Sequence, residues 1–225
     1  MRSRLPFLTP ILAALVLSGV SELSSQDHPQ TQAPSPAPNG KRDIATLRAR
    51  DSHQDLLVAA DPWIKPEAYA ARFGKKTPYD AGIIVIDVYF RNDGPQPVRL
   101  NLDTIRLTVS LPNEADQELA PLRPAAVAGA VYDTRPRRPG ARRLPIPTGG
   151  GTKQQQELTV ALRGAQLSTD LIAPKIVVNG LLYFDLDGHF NYVAFSRLYI
   201  PDLSQMGTEK TLFFFDVPLG PPKGQ

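Results

Sequence analysis

The chain contains no cysteine, one tryptophan and only three histidines. Without cysteine there is no disulfide scaffold, thiolate zinc site, iron–sulfur cluster, thiol nucleophile or Cys-anchored lipid. His28, His53 and His189 offer little material for imidazole catalysis. GxGxxG, Walker A, HExxH, GxSxG and EF-hand patterns are all missing. No stretch reaches the ~20 apolar residues of a spanning helix. These absences lead us to expect a non-enzymatic protein without a cofactor or metal, and with no membrane span once an N-terminal signal is removed.

What is present is enough for a folded domain. Of 225 residues, 42% are hydrophobic, too many for a wholly disordered chain. Twenty-three prolines and sixteen glycines call for many turns. Residues 1–25 have the layout of a secretory signal: Arg2 and Arg4, a mostly apolar Leu5 to Leu17, then small residues at Ser18, Gly19 and Ser21. Cleavage fits after Ser21 or near Ser25. The expected location is therefore exported, periplasmic or extracellular. Removing residues 1–25 takes away Arg2, Arg4 and Glu22, which lowers the net charge from +3 to +2. Residues 26–43 carry Pro29, Pro34, Pro36 and Pro38 and no large apolar side chain, the composition of a disordered tether.

The folded domain is expected over residues 44–220, with an insertion at 112–174. Leu56 to Ala59 reads as a first strand. Pro66 and Gly74 bracket a short helix by the usual asymmetry of proline at the start and glycine past the end. Strict alternation follows. Ile84, Ile86, Val88 and Phe90 share one face, as do Val98 and Leu100, and Ile105, Leu107 and Val109. With Phe184 these are the expected core. Period two implies one buried face and one wet face, as in antiparallel sheet. Asn92-Asp93-Gly94-Pro95 reads as a turn, and Asp187-Gly188 as a two-residue hairpin. Leu182, Phe184 and Leu186 share a face, residues 192–200 return, and residues 212–217 form a last strand. Within the insertion, Thr152 and Gln155 have capping-box spacing, and Leu158, Ala161, Leu162 and Ala165 recur at helical intervals. A strand through Leu158, Val160 and Leu162 is also compatible. The expected fold is mainly β: an antiparallel immunoglobulin-like sandwich of about seven strands, with one or two short helices and a long basic insertion.

Two local features invite a functional reading. The first is an arginine cluster, Arg135, Arg137, Arg138, Arg142 and Arg143, within nine residues. Guanidinium groups bind phosphate, carboxylate and sulfate groups through paired hydrogen bonds, so an anionic polymer or an acidic envelope protein is the matching partner. A solvated loop that keeps the chain soluble is the plain alternative. Nucleic acid is not expected, since no nucleic-acid fold signature accompanies the arginines. The second is Trp63, which with Tyr69 and Phe73 forms either a lid on the core or a sugar-binding platform. Asp185, Asp187 and His189 would share a side of an ideal strand, but the Asp-Gly turn competes with a metal site there.

The segment GIIVIDVYFRN from Gly82 to Asn92, then Pro97-Val98-x-Leu100, and GLLYF from Gly180 to Phe184, resembles exported bacterial proteins of uncharacterised function with an immunoglobulin-like sandwich. The likeness spans roughly residues 54–111 and 175–218. It implies fold and location and carries over no catalytic residue. The functional expectation is an exported binding or structural module of the cell envelope. A carbohydrate- or anionic-polymer-binding domain using Trp63, Tyr69 and the arginines is the alternative. A hydrolase or metal enzyme, gathering His53 or His189 with two carboxylates, is the second alternative.

Overall fold

The computed structural model describes residues 43–133, 152–207 and 210–221. The expected signal segment and nearly all of the expected tether lie outside them. A 3-10 turn, Ile44–Thr46, precedes β1 (Ala49–His53) and β2 (Leu56–Pro62). Then come α1 (Pro66–Phe73), β3 (Ile83–Asn92), β4 (Val98–Leu100), β5 (Arg106–Val109) and β6 (Gln117–Leu119). Helices α2 (Pro124–Val131) and α3 (Lys153–Ala165) follow, then β7 (Leu171–Ile172) and β8 (Val177–Asp185). The chain ends in β9 (Ser196–Ile200), β10 (Leu203–Gln205), β11 (Lys210–Thr211) and β12 (Phe215–Pro218).

Among the described residues, twelve strands form three four-stranded sheets, ordered β1-β2-β3-β8, β11-β10-β4-β7 and β12-β9-β5-β6. Every strand pairing in them is antiparallel. The protein is thus mainly antiparallel β with few helices, but with three sheets and more strands than the seven expected. Ile84, Ile86, Val88, Phe90, Val98, Leu100, Ile105, Leu107, Val109 and Phe184 are all buried in one cluster. Side chains of all three sheets meet there, so one face of the first sheet shares its core with the other two.

The opposite face of that sheet is not wet. Ile83, Val85, Asp87 and Tyr89 are buried too. Ile83 and Val85, with Leu181 and Tyr183 of β8, pack on Tyr69 of α1, Val127 and Ala128 of α2, and Leu158 and Leu162 of α3. Leu57, Ala59 and Tyr89 pack on Ile44. Alternation therefore identifies the two faces of β3 but not their exposure, because helices from the insertion cover the second one.

The helices form for legible reasons. Pro66 opens α1, and Gly74, at φ 82°, closes it by donating its N–H to the Ala70 carbonyl at 3.0 Å. The Thr152 hydroxyl caps α3 by accepting from the Gln155 N–H at 3.2 Å. Leu158, Leu162 and Ala165 then face inward, while Ala161 is exposed.

Three connections differ from expectation. Residues 92–95 turn, but β3 and β4 lie in different sheets, so the turn is a crossing between layers. Asn92, 1% exposed, anchors it: its Nδ2 donates to the carbonyls of Gln96 and Ile172, and its Oδ1 accepts from the Gly94 N–H. Asp187 and Gly188 do adopt positive φ, 51° and 84°. Yet β8 and β9 do not pair, because residues 190–195 form a 3-10 helix that carries the chain to the third sheet. Finally, β12 begins only at Phe215; residues 212–214 are outside the strand, and Phe213 is 72% exposed rather than sharing the burial of Phe215.

Candidate functional sites

The second face of the first sheet has a polar break. Moving along β3, Ile83 and Val85 lie under the helices, Tyr89 lies against Ile44, and Asp87 falls between the two apolar clusters. Asp87 is 3% exposed. Its Oδ2 accepts from the Tyr89 hydroxyl at 2.6 Å and its Oδ1 from Asn179 Nδ2 at 3.2 Å. The register sets Asp61 of β2 directly opposite Asp87. Two carboxylates thus share one rung of the sheet.

Trp63 closes this break on one side. Its N–H donates to the Val85 carbonyl at 2.8 Å, which extends the β2–β3 ladder by one residue. The Tyr69 hydroxyl donates to the Trp63 carbonyl at 2.7 Å and accepts from the Val85 N–H at 3.0 Å. One buried hydroxyl therefore satisfies two backbone groups where the strands part. Burial pushes the Tyr69 hydroxyl pKa well above the ordinary tyrosine value. Burial does the same to Tyr183, whose hydroxyl donates to the Leu162 carbonyl at 2.9 Å. The indole of Trp63 meets the Tyr69 ring edge-on at 5.7 Å and the Phe73 ring at 6.3 Å. Trp63, Ile64, Asp61 and Asp87 line a cleft of about 490 Å³, together with Pro62, Lys65 and Ala68.

A second surface lies at the start of β12. Phe213 and Phe214 are 72% and 53% exposed, while Phe215 is buried and stacks on His53 at 3.9 Å. The segment is held from the first hairpin. Gln54 Oε1 accepts from the Phe213 N–H, His53 Nε2 lies 3.2 Å from the Phe214 carbonyl, and Asp51 Oδ2 accepts from the Asp216 N–H. Phe214 leans on Tyr199 of β9 at 5.4 Å, and Arg197 beside it pairs with Asp216 through two hydrogen bonds.

Of the residues singled out in the sequence, Arg135, Arg137, Arg138, Arg142 and Arg143 lie outside the described residues. Trp63 lines the cleft just described. Tyr69 is fully buried, so it is a support for Trp63 and not part of an aromatic platform. His53 and His189 are not among the cleft residues; His189 stacks on Tyr192 at 4.9 Å. Asp185 Oδ1 accepts from the Asp187 N–H, a bond internal to the turn. Among the described residues no group of three or more His, Cys, Asp or Glu side chains is placed to hold a metal ion. Asp61, Asp87 and the Phe213–Phe214 pair escaped the sequence reading. The available signals were the acidic interruption in Ile-Val-Ile-Asp-Val and the run of three phenylalanines.

Among the described residues no helix is long and apolar enough to cross a membrane. No protein-family model matches the chain, and no curated protein matches it. Among solved structures the chain is similar to a functionally unknown protein from Listeria monocytogenes EGD-e, with a TM-score of 0.34 and 13% identity over 76% of this chain and 80% of that one.

Proposed function

We propose that the protein is an exported, non-enzymatic binding or structural module of the cell envelope, built on an immunoglobulin-like sandwich. Its resemblance in residues 82–100 and 180–184 to exported bacterial proteins of that kind is part of the same reading. The observation that carries it is the Phe213–Phe214 pair. Two adjacent phenylalanines in water cost free energy unless something covers them, since each offers ~150–250 Å² of apolar surface. Three side chains of one hairpin hold the backbone beneath them, so little ordering entropy is lost when a partner docks. Rigid exposed aromatics beside a tyrosine and an arginine are the usual composition of a protein-binding hot spot. The partner is an envelope protein.

Two measurements test this. The intact mass of the chain recovered from a bacterial host should lack residues 1–21 or 1–25, in the exported fraction. A photo-crosslinker at position 213 should trap one discrete envelope protein, and the same group at the exposed position 160 of α3 should not. A full-length chain in the cytoplasm, or equal trapping at both positions, overturns the proposal.

A further inference from the structure

We propose that the rim of the molecule between β7 and β8 docks on a lipid bilayer with anionic headgroups, an interaction separate from the Phe213–Phe214 surface and independent of its role. Among the described residues, three of the large apolar side chains left exposed lie in this one short stretch: Leu171 at 45%, Ile176 at 47% and Val177 at 50%. The stretch carries the chain from the edge of one sheet to the edge of another, since β7 borders β4 and β8 borders β3. Ile172 is buried in the core that those sheets share, and Val178 packs against it. By alternation Leu171 and Val177 point away from that core, on opposite outer faces of the pair of sheets. Ile176 belongs to the connection between them. Asn92 fastens this connection: its N–H donates to the Ile176 carbonyl, its carbonyl accepts from the Lys175 N–H, and its Nδ2 donates to the Ile172 carbonyl. Each exposed aliphatic side chain also has a cation beside it. Arg99 is the cross-strand neighbour of Leu171, Arg91 is that of Val177, and Lys175 precedes Ile176. Arg91 pairs with Asp93 at 3.0 Å, Lys175 donates to the Asp93 backbone carbonyl, and Arg99 has no ion pair among the described residues. With Asp170 as the other carboxylate of the stretch, positive charge is in surplus, which complements an anionic surface. A folded partner reaches one side of such a rim, whereas a fluid acyl layer closes around both flanks. Packed sheets stand about 10 Å apart, and interfacial elements sink about 5–10 Å, so a shallow wedge buries all three aliphatic side chains and leaves the cations at headgroup depth.

The chain has no cysteine, so a single Ile176→Cys, labelled with an environment-sensitive fluorophore, reports the rim alone. Titrated with vesicles of phosphatidylglycerol and phosphatidylethanolamine, the full chain should show a saturable blue shift of that label. The shift should weaken with added salt and be several-fold weaker with pure phosphatidylcholine. The same label at the exposed position 160 of α3 should not shift, which separates insertion of the rim from attachment through the apolar N-terminal segment. Labels at Leu171→Cys and at Val177→Cys, on the two flanks, should both shift. Leu171→Ser together with Val177→Ser should weaken the response at position 176 about tenfold or more, because two half-exposed aliphatic side chains lose their burial. Both residues are exposed, so this pair keeps the fold, which the melting temperature checks. No shift at position 176, an equal shift at position 160, a shift on one flank only, an equal response to phosphatidylcholine, or an undiminished response in the Ser pair overturns the proposal.

Discussion

The two faces of β3 are built from neighbouring residues and solve the same burial problem in different ways. On one face Ile84, Ile86, Val88 and Phe90 enter a continuous apolar core shared by three sheets. On the other, Ile83 and Val85 lie under helices, Tyr89 lies under Ile44, and Asp87 marks the seam between those covers. On the first face the buried polar side chain of β3 is Asn92 at the strand's end, satisfied by the bonds that anchor the crossing to β4. The second uses the hydroxyls of Tyr69, Tyr89 and Tyr183 and the amide of Asn179 to satisfy what its seams expose. A sheet core closed by other strands needs only shape, whereas a face roofed by separate pieces leaves gaps, and the cleft at Trp63 is one of them.

The largest effect is expected on the continuous face. Ile86 is fully buried, opposite Leu182 on β8. Ile86→Asp would bury a charge with no partner, at several kcal/mol, comparable with the ~5–15 kcal/mol that holds a domain together. We expect no cooperative unfolding transition by circular dichroism. A melting curve like that of the wild type would show that this face tolerates charge as the other does.

Next comes Gly180, where the insertion crosses the edge of β8. A Cβ there would stand 2.4 Å from the Cα of Leu167. Leu167 cannot move freely, because its N–H donates to the Leu181 carbonyl at 3.0 Å. Gly180→Ala should cost about 1–3 kcal/mol, read from the denaturation midpoint, because the clash is with backbone and not with a side-chain tip. An unchanged midpoint would mean that the segment after α3 is loosely attached.

The assembled face is tested through its hydroxyls. Tyr69→Phe leaves the ring and removes the acceptor of the buried Val85 N–H, at about 1–3 kcal/mol. It should also change the pH dependence. Both Tyr69 and Tyr183 have folded-state pKa values raised by burial, so between the unfolded value near 10 and the raised folded value the native state holds protons that the unfolded state has lost. Their contribution is complete below about pH 10 and is lost as pH rises, by up to about 1.4 kcal/mol per pH unit for each. Tyr69→Phe should halve that alkaline slope in urea titrations. An identical slope would place the loss in other groups.

This contrast also marks how far the sequence was legible. The core residues named from alternation, from Ile84 to Val109 with Phe184, all lie in the continuous core, because period two is a local property of the chain. The same pattern could not say that α2 and α3 cover the other face while β7 joins the sheet of β4, since that is decided by contacts distant in sequence. The turns at 92–95 and 187–188 were legible as turns, because Asn, Asp and Gly fix local φ. Their partners were not, because a turn fixes direction and leaves the choice of sheet to packing. Trp63 was visible in a group with Tyr69 and Phe73, but Asp61 and Asp87 became a pair only through the register of β2 on β3. A strand over residues 212–217 would put Phe213 and Phe215 on one face, and only the late start of β12 releases Phe213 to solvent.

The smallest effect on stability is expected where neither face is involved. Phe213 and Phe214 are exposed, and the bonds that hold their segment run through backbone groups to Gln54 and His53. Replacing both with Ser leaves those bonds in place. It removes the Phe214 contact with Tyr199, an exposed aromatic pair worth about 0.5–1.5 kcal/mol at most. The melting temperature should therefore fall by only a few degrees, in line with the ~4–8 °C per kcal/mol of a small domain or the ~2–4 °C of a larger one. Crosslinking to the proposed envelope partner should disappear, since a hot spot loses most of its binding free energy with its central aromatics. Stability and binding would then be carried by different residues of one three-phenylalanine run, with Phe215 holding the core and Phe213 and Phe214 serving the partner. If the Ser pair instead unfolds the protein while Gly180→Ala does not, the exposed pair is structural and the order of effects argued here is reversed.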